Sequence, residues 1–343
     1  MLPTHQVKNW FAELTGERLV KVSPCRDGFG SMVMLAKSKT GTAYVMKAEV
    51  FSDHHGVLAE SAYFGYAKLA DHQLIPNLIA VDLSLSHLPF ACYIRSACRG
   101  QSILSTLERE IIPGNLAKIL NQVGVFFRRY HKIEVESSGY GALAIDEFEK
   151  AIISDGCLPT IVNGVHPVPA NLMMVLLNQV LALSTILRGE LSSALGKITN
   201  NLSQIYSTPD LQFHPRLLHG DLNLRNLLHF NGALTGVIDG SAILGDFRQD
   251  LASLRVSILV SEALWPELKK YNLWCEFLLG YGLDSMEIDL DLQFQMWVIV
   301  CCLRRVHTAA RLGVDSRSLI YEDICFKALN TVCHASSSLR SDV

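Results

Sequence analysis

The chain has no run of five or more like charges, and its 30 Lys and Arg nearly balance 33 Asp and Glu, leaving a net charge of −3. Neutralising a nucleic-acid backbone needs a concentrated basic face, so nucleic acid is not an expected partner. No apolar stretch reaches the roughly 20 residues that a bilayer span requires. Met173–Leu187 is broken by Asn178 and Gln179, and Met296–Leu303 is too short. The first ten residues, Met1–Trp10, mix Pro, Thr, His, Gln, Lys and Asn and lack the apolar core of a secretion signal. A cytoplasmic location without membrane association is expected. The nine cysteines are odd in number and form neither Cys-x-x-Cys nor a Cys/His zinc spacing, so they read as reduced thiols. No internal repeat is present, and nothing in the sequence assigns an oligomeric state.

What is there points to a globular enzyme. Hydrophobic residues make up 49% of the 343 positions and charged residues 18%, a balance that argues against disorder and provides for one large domain or two lobes. Met32–Lys37 and Thr42–Val50 are apolar or β-branched and flank the turn Ser38-Lys39-Thr40-Gly41, which predicts a hairpin. Apolar positions recur at three and four over residues 57–70, the pattern of an amphipathic helix. Asn77–Leu83 and Phe90–Ser96 complete a small sheet with that one helix against it. Beyond Arg99-Gly100 the pattern turns helical, with Leu116–Ile133 the clearest helix and Asn171–Asn201 supplying one or two more. Ser137–Pro169 is long enough for a substrate-side insertion. Leu227–Phe230 and Gly232–Asp239 flank an Asn231-Gly232 hairpin turn, and helices resume from Asp250. The expected fold is α+β and bilobal, with a β-rich nucleotide-binding lobe over 1–98 and a helical lobe over 99–343 carrying the catalytic loop and acceptor pocket.

Residues 219–226 read His-Gly-Asp-Leu-Asn-Leu-Arg-Asn, and Asp239 ends a strand thirteen residues after Asn226. Each of Asp221, Asn226 and Asp239 alone suits a turn or cap. In one frame they supply what phosphoryl transfer asks of a protein: a carboxylate for the attacking hydroxyl and hard oxygen ligands for Mg²⁺. Lys47 lies on a strand whose alternation puts it on the same face as Val45, where it is either an edge residue or a buried cation awaiting an anionic partner. Glu60 on the following helix is favoured for this over Glu49, too near along the strand, and Asp53, in a loop. The glycines of Gly28-Phe29-Gly30-Ser31 precede a strand, where backbone N–H groups can lie over phosphates.

These residues resemble the aminoglycoside phosphotransferase and choline kinase superfamily, whose members share a protein-kinase-like fold. The likeness rests on the His-Gly-Asp-x-x-x-x-Asn loop at 219–226, on Ile238-Asp239, and on Gly245-Asp246-Phe247-Arg248-Gln249-Asp250-Leu251-Ala252, and covers roughly residues 20–255. It implies that Asp221 is the catalytic aspartate, that Asn226 and Asp239 bind Mg²⁺, and that Lys47, held by Glu60, contacts the phosphates of ATP. It also implies that Tyr93, Ile94, Arg95, Ser96 and the residues to Cys98 form the hinge pairing with adenine. By the same resemblance His219 holds the catalytic loop, while Asp246 and Asp250 anchor the next segment and cap its helix. The family usually has an aromatic residue after the metal aspartate. Here Gly240 stands there, and looser packing behind the metal site is expected.

The acceptor is a small molecule, because superfamily members phosphorylate antibiotics, amino alcohols, sugars and amino acids. Ser-Ser-Gly-Tyr-Gly at 137–141 and Cys-Arg-Gly-Gln-Ser-Ile at 98–103 loosely resemble the hygromycin-type branch, which favours an aminoglycoside-like acceptor. A polycation of that kind needs several carboxylates, for which Glu262, Glu267, Glu276, Asp284, Glu287, Asp289 and Asp291 are candidates. The alternatives are a metabolite kinase and a nucleotide-binding regulator without turnover.

Overall fold

The computed structural model describes residues 4–25, 31–49, 55–86, 88–109, 112, 115–135, 139–142, 144–145, 150–152, 161–162, 166–167, 215–312 and 318–341. The chain starts with a helix, α1 (Thr4–Thr15), that the strand-rich reading of the first hundred residues did not include. Its buried residues Val7, Trp10, Phe11 and Leu14 are spaced three, one and three apart, one face of a helix. There follow β1 (Leu19–Pro24), β2 (Ser31–Ser38), β3 (Ala43–Glu49), α2 (His55–Ala70), β4 (Leu78–Asp82) and β5 (Cys92–Ser96). The two-residue strand β6 (Gln101–Ser102) leads into α3 (Ile103–Leu107) and α4 (Leu116–Tyr130). Short strands β7 (Gly139–Ala142), β8 (Ala144–Ile145), β9 (Lys150–Ile152), β10 (Ile161–Val162) and β11 (His166–Pro167) come next. The expected helices of 171–201, like Gly28 and Gly30, lie outside the described residues.

The N-terminal sheet is antiparallel in the order β1-β2-β3-β5-β4-β9. Side chains alternate across it, so Met34, Met46, Ala80 and Ile94 pack with α1 in one cluster, whereas Val81 and Tyr93 join α2 and the C-terminal lobe in the other. Trp10 fastens α1 by donating its indole N–H to Asp82 Oδ2 at 2.8 Å. The sheet's last strand, β9, comes from within the 137–169 segment and pairs with β4. That segment returns to the N-terminal sheet, and β7 adds to the sheet beside the catalytic loop by pairing with β15.

The C-terminal lobe continues with β12 (Arg216–Leu218), β13 (Leu227–Phe230), β14 (Ala233–Val237) and β15 (Ile243–Gly245). Six segments follow: α5 (Arg248–Leu264), a 3₁₀ turn over Pro266–Tyr271, α6 (Leu273–Tyr281), α7 (Ser285–Leu290) and the long pair α8 (Leu292–Leu312) and α9 (Ser318–Ser341). The β13–β14 hairpin turns through Asn231 and Gly232, both at positive φ (49° and 73°), the conformation an Asn-Gly pair adopts at low cost. The amphipathic α4 buries Ile119, Leu120, Val123, Phe126, Phe127 and Tyr130 under the catalytic loop. The architecture is that of a protein-kinase-like phosphotransferase: a β-rich lobe with one helix on the inner face of its sheet, over a mainly helical lobe.

Candidate active site

Period-2 alternation places Lys47 on the inner face of β3, where α2 crosses. Lys47 Nζ lies 2.7 Å from Glu60 Oε2 and 3.6 Å from Asp239 Oδ1, which comes from the other lobe. Burial alone would lower the ammonium's pKa, but Glu60 and Asp239 outweigh it and hold Lys47 above its ordinary value. Glu60 is buried and its pKa is pushed up to about 7 by desolvation, with Lys47 pulling it back. Its second oxygen accepts a 2.6 Å hydrogen bond from the Tyr93 hydroxyl. Burial would raise Asp239 as well, yet Lys47 and Arg95 together keep that carboxylate below its ordinary value.

The catalytic loop is fixed from beneath. Asp250, fully buried in the first turn of α5, accepts the backbone N–H of His219 at 2.6 Å and of Gly220 at 2.9 Å, and contacts His131 Nε2 at 3.1 Å. It therefore holds the loop and caps no helix: Phe247 occupies the N-cap of α5, and Asp246 accepts from Arg248 N and from Trp297 Nε1. The His219 ring spans the loop and the metal strand, with Nε2 3.0 Å from the Ile238 carbonyl and Nδ1 accepting from Asp221 N at 3.3 Å. Desolvation lowers its pKa, so the imidazole stays neutral and can accept at Nδ1.

Asn226 donates its amide hydrogens to the Asp221 carbonyl oxygen (2.9 Å) and to Asp221 Oδ2 (3.2 Å), which leaves its own side-chain oxygen as a ligand. Asp239 sits at φ +57°, a conformation costly for a residue with a side chain and concentrated at functional sites. Among the described residues no group of three or more His, Cys, Asp or Glu could by itself cage a metal. One amide oxygen and one carboxylate instead suit Mg²⁺, which keeps waters and takes phosphate oxygens for the rest of its shell.

The space behind Asp239 is filled, contrary to the looser packing expected from Gly240. A Cβ added at Gly240 would come within 2.6 Å of the Tyr63 ring. Tyr63, fully buried on α2, stands edge-on to His219 with centroids 5.0 Å apart and donates its hydroxyl to the Val237 carbonyl at 3.3 Å. The aromatic ring behind Asp239 thus arrives from the helix that carries Glu60.

Tyr93, Ile94 and Arg95 lie within β5, paired with β3 on one side and β4 on the other, so the ladder occupies the backbone of these three hinge candidates. Ser96 ends that strand, and its N–H is bonded to Asn77 O. Ser31 opens β2 opposite Glu49. Three side chains at the site escaped sequence reasoning: the Tyr93 hydroxyl, Tyr63, and Arg305 of α8, whose Nη2 donates to Asp221 Oδ1 at 2.8 Å. Arg305 is 84 residues from Asp221 and carries no local signal. Tyr63 could have been found from the missing aromatic at 240.

Lobes and site define a small-molecule phosphotransferase fold. A family model described as the phosphotransferase enzyme family matches residues 21–273, and the chain belongs to that family. No curated protein sequence matches the chain. Among solved structures, a thermostable mutant of aminoglycoside phosphotransferase APH(4)-Ia, in a ternary complex with AMP-PNP and hygromycin B, is similar with a TM-score of 0.68 at 15% identity, covering 95% of this chain and 98% of that one. A Thermobifida fusca protein assigned as a fructosamine-3-kinase gives a TM-score of 0.56 at 15% identity, covering 96% and 98%. The GDP and kanamycin complex of APH(2″)-IIIa gives 0.58 at 14% identity, covering 98% and 99%. At these identities the likeness is one of fold.

Proposed function

We propose that the chain is an ATP- and Mg²⁺-dependent kinase that transfers the γ-phosphoryl group to a hydroxyl of a small polar acceptor. The observation that carries this reading is Lys47 lying between Glu60 and Asp239, which brings a braced cation of one lobe to the metal carboxylate of the other. In this reading Lys47 binds the phosphates, Asn226 and Asp239 hold Mg²⁺, and backbone N–H groups of Gly28, Gly30 and Ser31 serve the phosphates. Adenine pairs with the chain as it leaves β5, around Cys98, since the Ala97 N–H is bonded to the Ala43 carbonyl. Mg²⁺ neutralises charge on the phosphate oxygens. Asp221 orients the acceptor hydroxyl and takes its proton as the new O–P bond forms and the bond to the ADP oxygen breaks.

Two acceptor classes compete. The hygromycin B and kanamycin complexes of similar fold favour an aminoglycoside, and the fructosamine-kinase likeness favours a metabolite. The acids available for a polycation support the second. Asp284 caps α7, Asp291 binds Arg248 and Asp289 accepts from Trp274, so none of the three is an idle carboxylate awaiting a cation.

ATP consumption across a panel of polyols, hydroxy acids, amines and aminoglycosides tests the reaction. At least one acceptor should stimulate it, and Asp221→Ala should abolish the stimulation by about a thousandfold or more, the scale on which positioned catalytic groups act. If Mg·ATP binds but no acceptor stimulates its use, the chain is a nucleotide-binding regulator and the kinase reading fails.

A further inference from the structure

A cavity of about 120 Å³ opens beside the catalytic loop between α3, α5, α8 and α9, and its charged lining residues are Arg225 and Arg305. Among the described residues no Asp or Glu lines it; Ser253, Ser257, Ser261 and Tyr321 add hydroxyls. A larger cavity, about 360 Å³, contains Glu262, Asp289 and Asp323 but shares no residue with the His219–Asn226 loop and sets Arg255, Lys269 and Lys327 against those acids. Among the described residues this smaller cavity, entered by the arginine that holds Asp221, thus offers a cationic acceptor no lining carboxylate.

Arg305 reaches Asp221 Oδ1 from this cavity, with 43% of the arginine side chain and 52% of the aspartate exposed. Arg225 has a looser counterion in Glu108, at 3.8 Å. A guanidinium on a catalytic carboxylate holds an oxygen that an acceptor hydroxyl must use. An anion can move it by offering the guanidinium a second place to bind. An ammonium would instead be repelled by Arg305 at short range.

We propose that the acceptor carries an anionic group, a carboxylate or phosphate, close to the hydroxyl that is phosphorylated, and that Arg305 binds this group and thereby releases Asp221 for the hydroxyl. Arg225 supplies the second positive charge. The planar fork of an arginine matches a carboxylate or phosphate in two parallel hydrogen bonds, and this geometry selects such groups over a neutral hydroxyl. The inference rests on the kinase reading for its hydroxyl and on the cavity for its anion, and the two parts separate experimentally.

Binding of four sugars on one frame, glucuronate, glucose 6-phosphate, glucose and glucosamine, is measured calorimetrically to the full chain loaded with Mg²⁺ and AMP-PNP. The two acids should bind tighter than glucosamine by about tenfold or more, the worth of one charge-assisted hydrogen bond. Arg305→Gln should remove that preference while leaving AMP-PNP affinity unchanged, and Arg305→Lys should restore part of it. Equal or undetectable binding across the series, tighter binding of glucosamine, or an unchanged preference in Arg305→Gln overturns the proposal. Turnover of ATP is followed separately. A charge preference without turnover of any acceptor would sink the kinase reading and leave the anion site standing, and turnover with a preference for amines would do the reverse.

Discussion

At the scale of single residues the site is a balance between burial and charge, and Glu60 shows it best. Folded, its carboxyl titrates near 7 against an ordinary value of 4.5. Between those values the folded chain keeps a proton that the unfolded chain has lost. The contribution of Glu60 to stability is therefore complete below about 4.5 and is lost as pH rises through 7. Glu60→Gln carries no such proton. Its stability relative to the parent chain should rise across the window by up to about 1.4 kcal/mol per pH unit and level off above 7, read from urea unfolding at several pH values. The same variant should lose catalytic efficiency toward ATP, because Lys47 loses its 2.7 Å brace. A stability difference that does not change with pH would show that Glu60 is not held up by burial.

At the scale of elements, α2 ties the two lobes together. It presents Glu60 to Lys47, fills the gap at Gly240 with Tyr63, and accepts Ala242 N–H at the Ala59 carbonyl at 3.0 Å. Glycine at 240 is then required by Tyr63, and a larger residue must displace the ring. Gly240→Phe should cost about 1–3 kcal/mol by overpacking, and Tyr63→Ala about 3–5 kcal/mol by leaving a cavity. Combined, they should cost less than their sum by about 0.5–3 kcal/mol, because the new ring enters the vacated space. Strict additivity in denaturant unfolding would mean that the two positions do not compete for one volume. The double variant should also keep more activity than either single variant, since Asp239 and Glu60 are both positioned through this contact.

At the scale of the whole molecule, nucleotide and metal should act as a bridge between lobes. AMP-PNP at about a hundred times its dissociation constant should stabilise the chain by about 2.7 kcal/mol in the presence of Mg²⁺. Asp239→Asn should remove most of that gain and raise the Mg²⁺ concentration needed for turnover; an unchanged Mg²⁺ requirement would move the metal site elsewhere. Much of this architecture is legible in the sequence because it is local. Alternation set the face of Lys47, the Asn231-Gly232 pair set the β13–β14 turn, and the spacing from His219 to Asn226 set the catalytic loop. The helix α1 is equally local, with its Val7, Trp10, Phe11 and Leu14 stripe. Other features depend on chain segments far apart in sequence: β9 returning to pair with β4, Asp250 reaching back to the loop, Tyr63 standing in for an aromatic at 240, and Arg305 resting on Asp221. By itself the sequence determined the spacing of the His219 to Asn226 loop, the face of Lys47 and the choice of Glu60 as its partner, since these follow from short-range spacing and periodicity. Only the tertiary structure decided that Tyr63 packs behind Asp239 and that Arg305 rests on Asp221, because both depend on side chains that meet across long loops and leave no periodic trace.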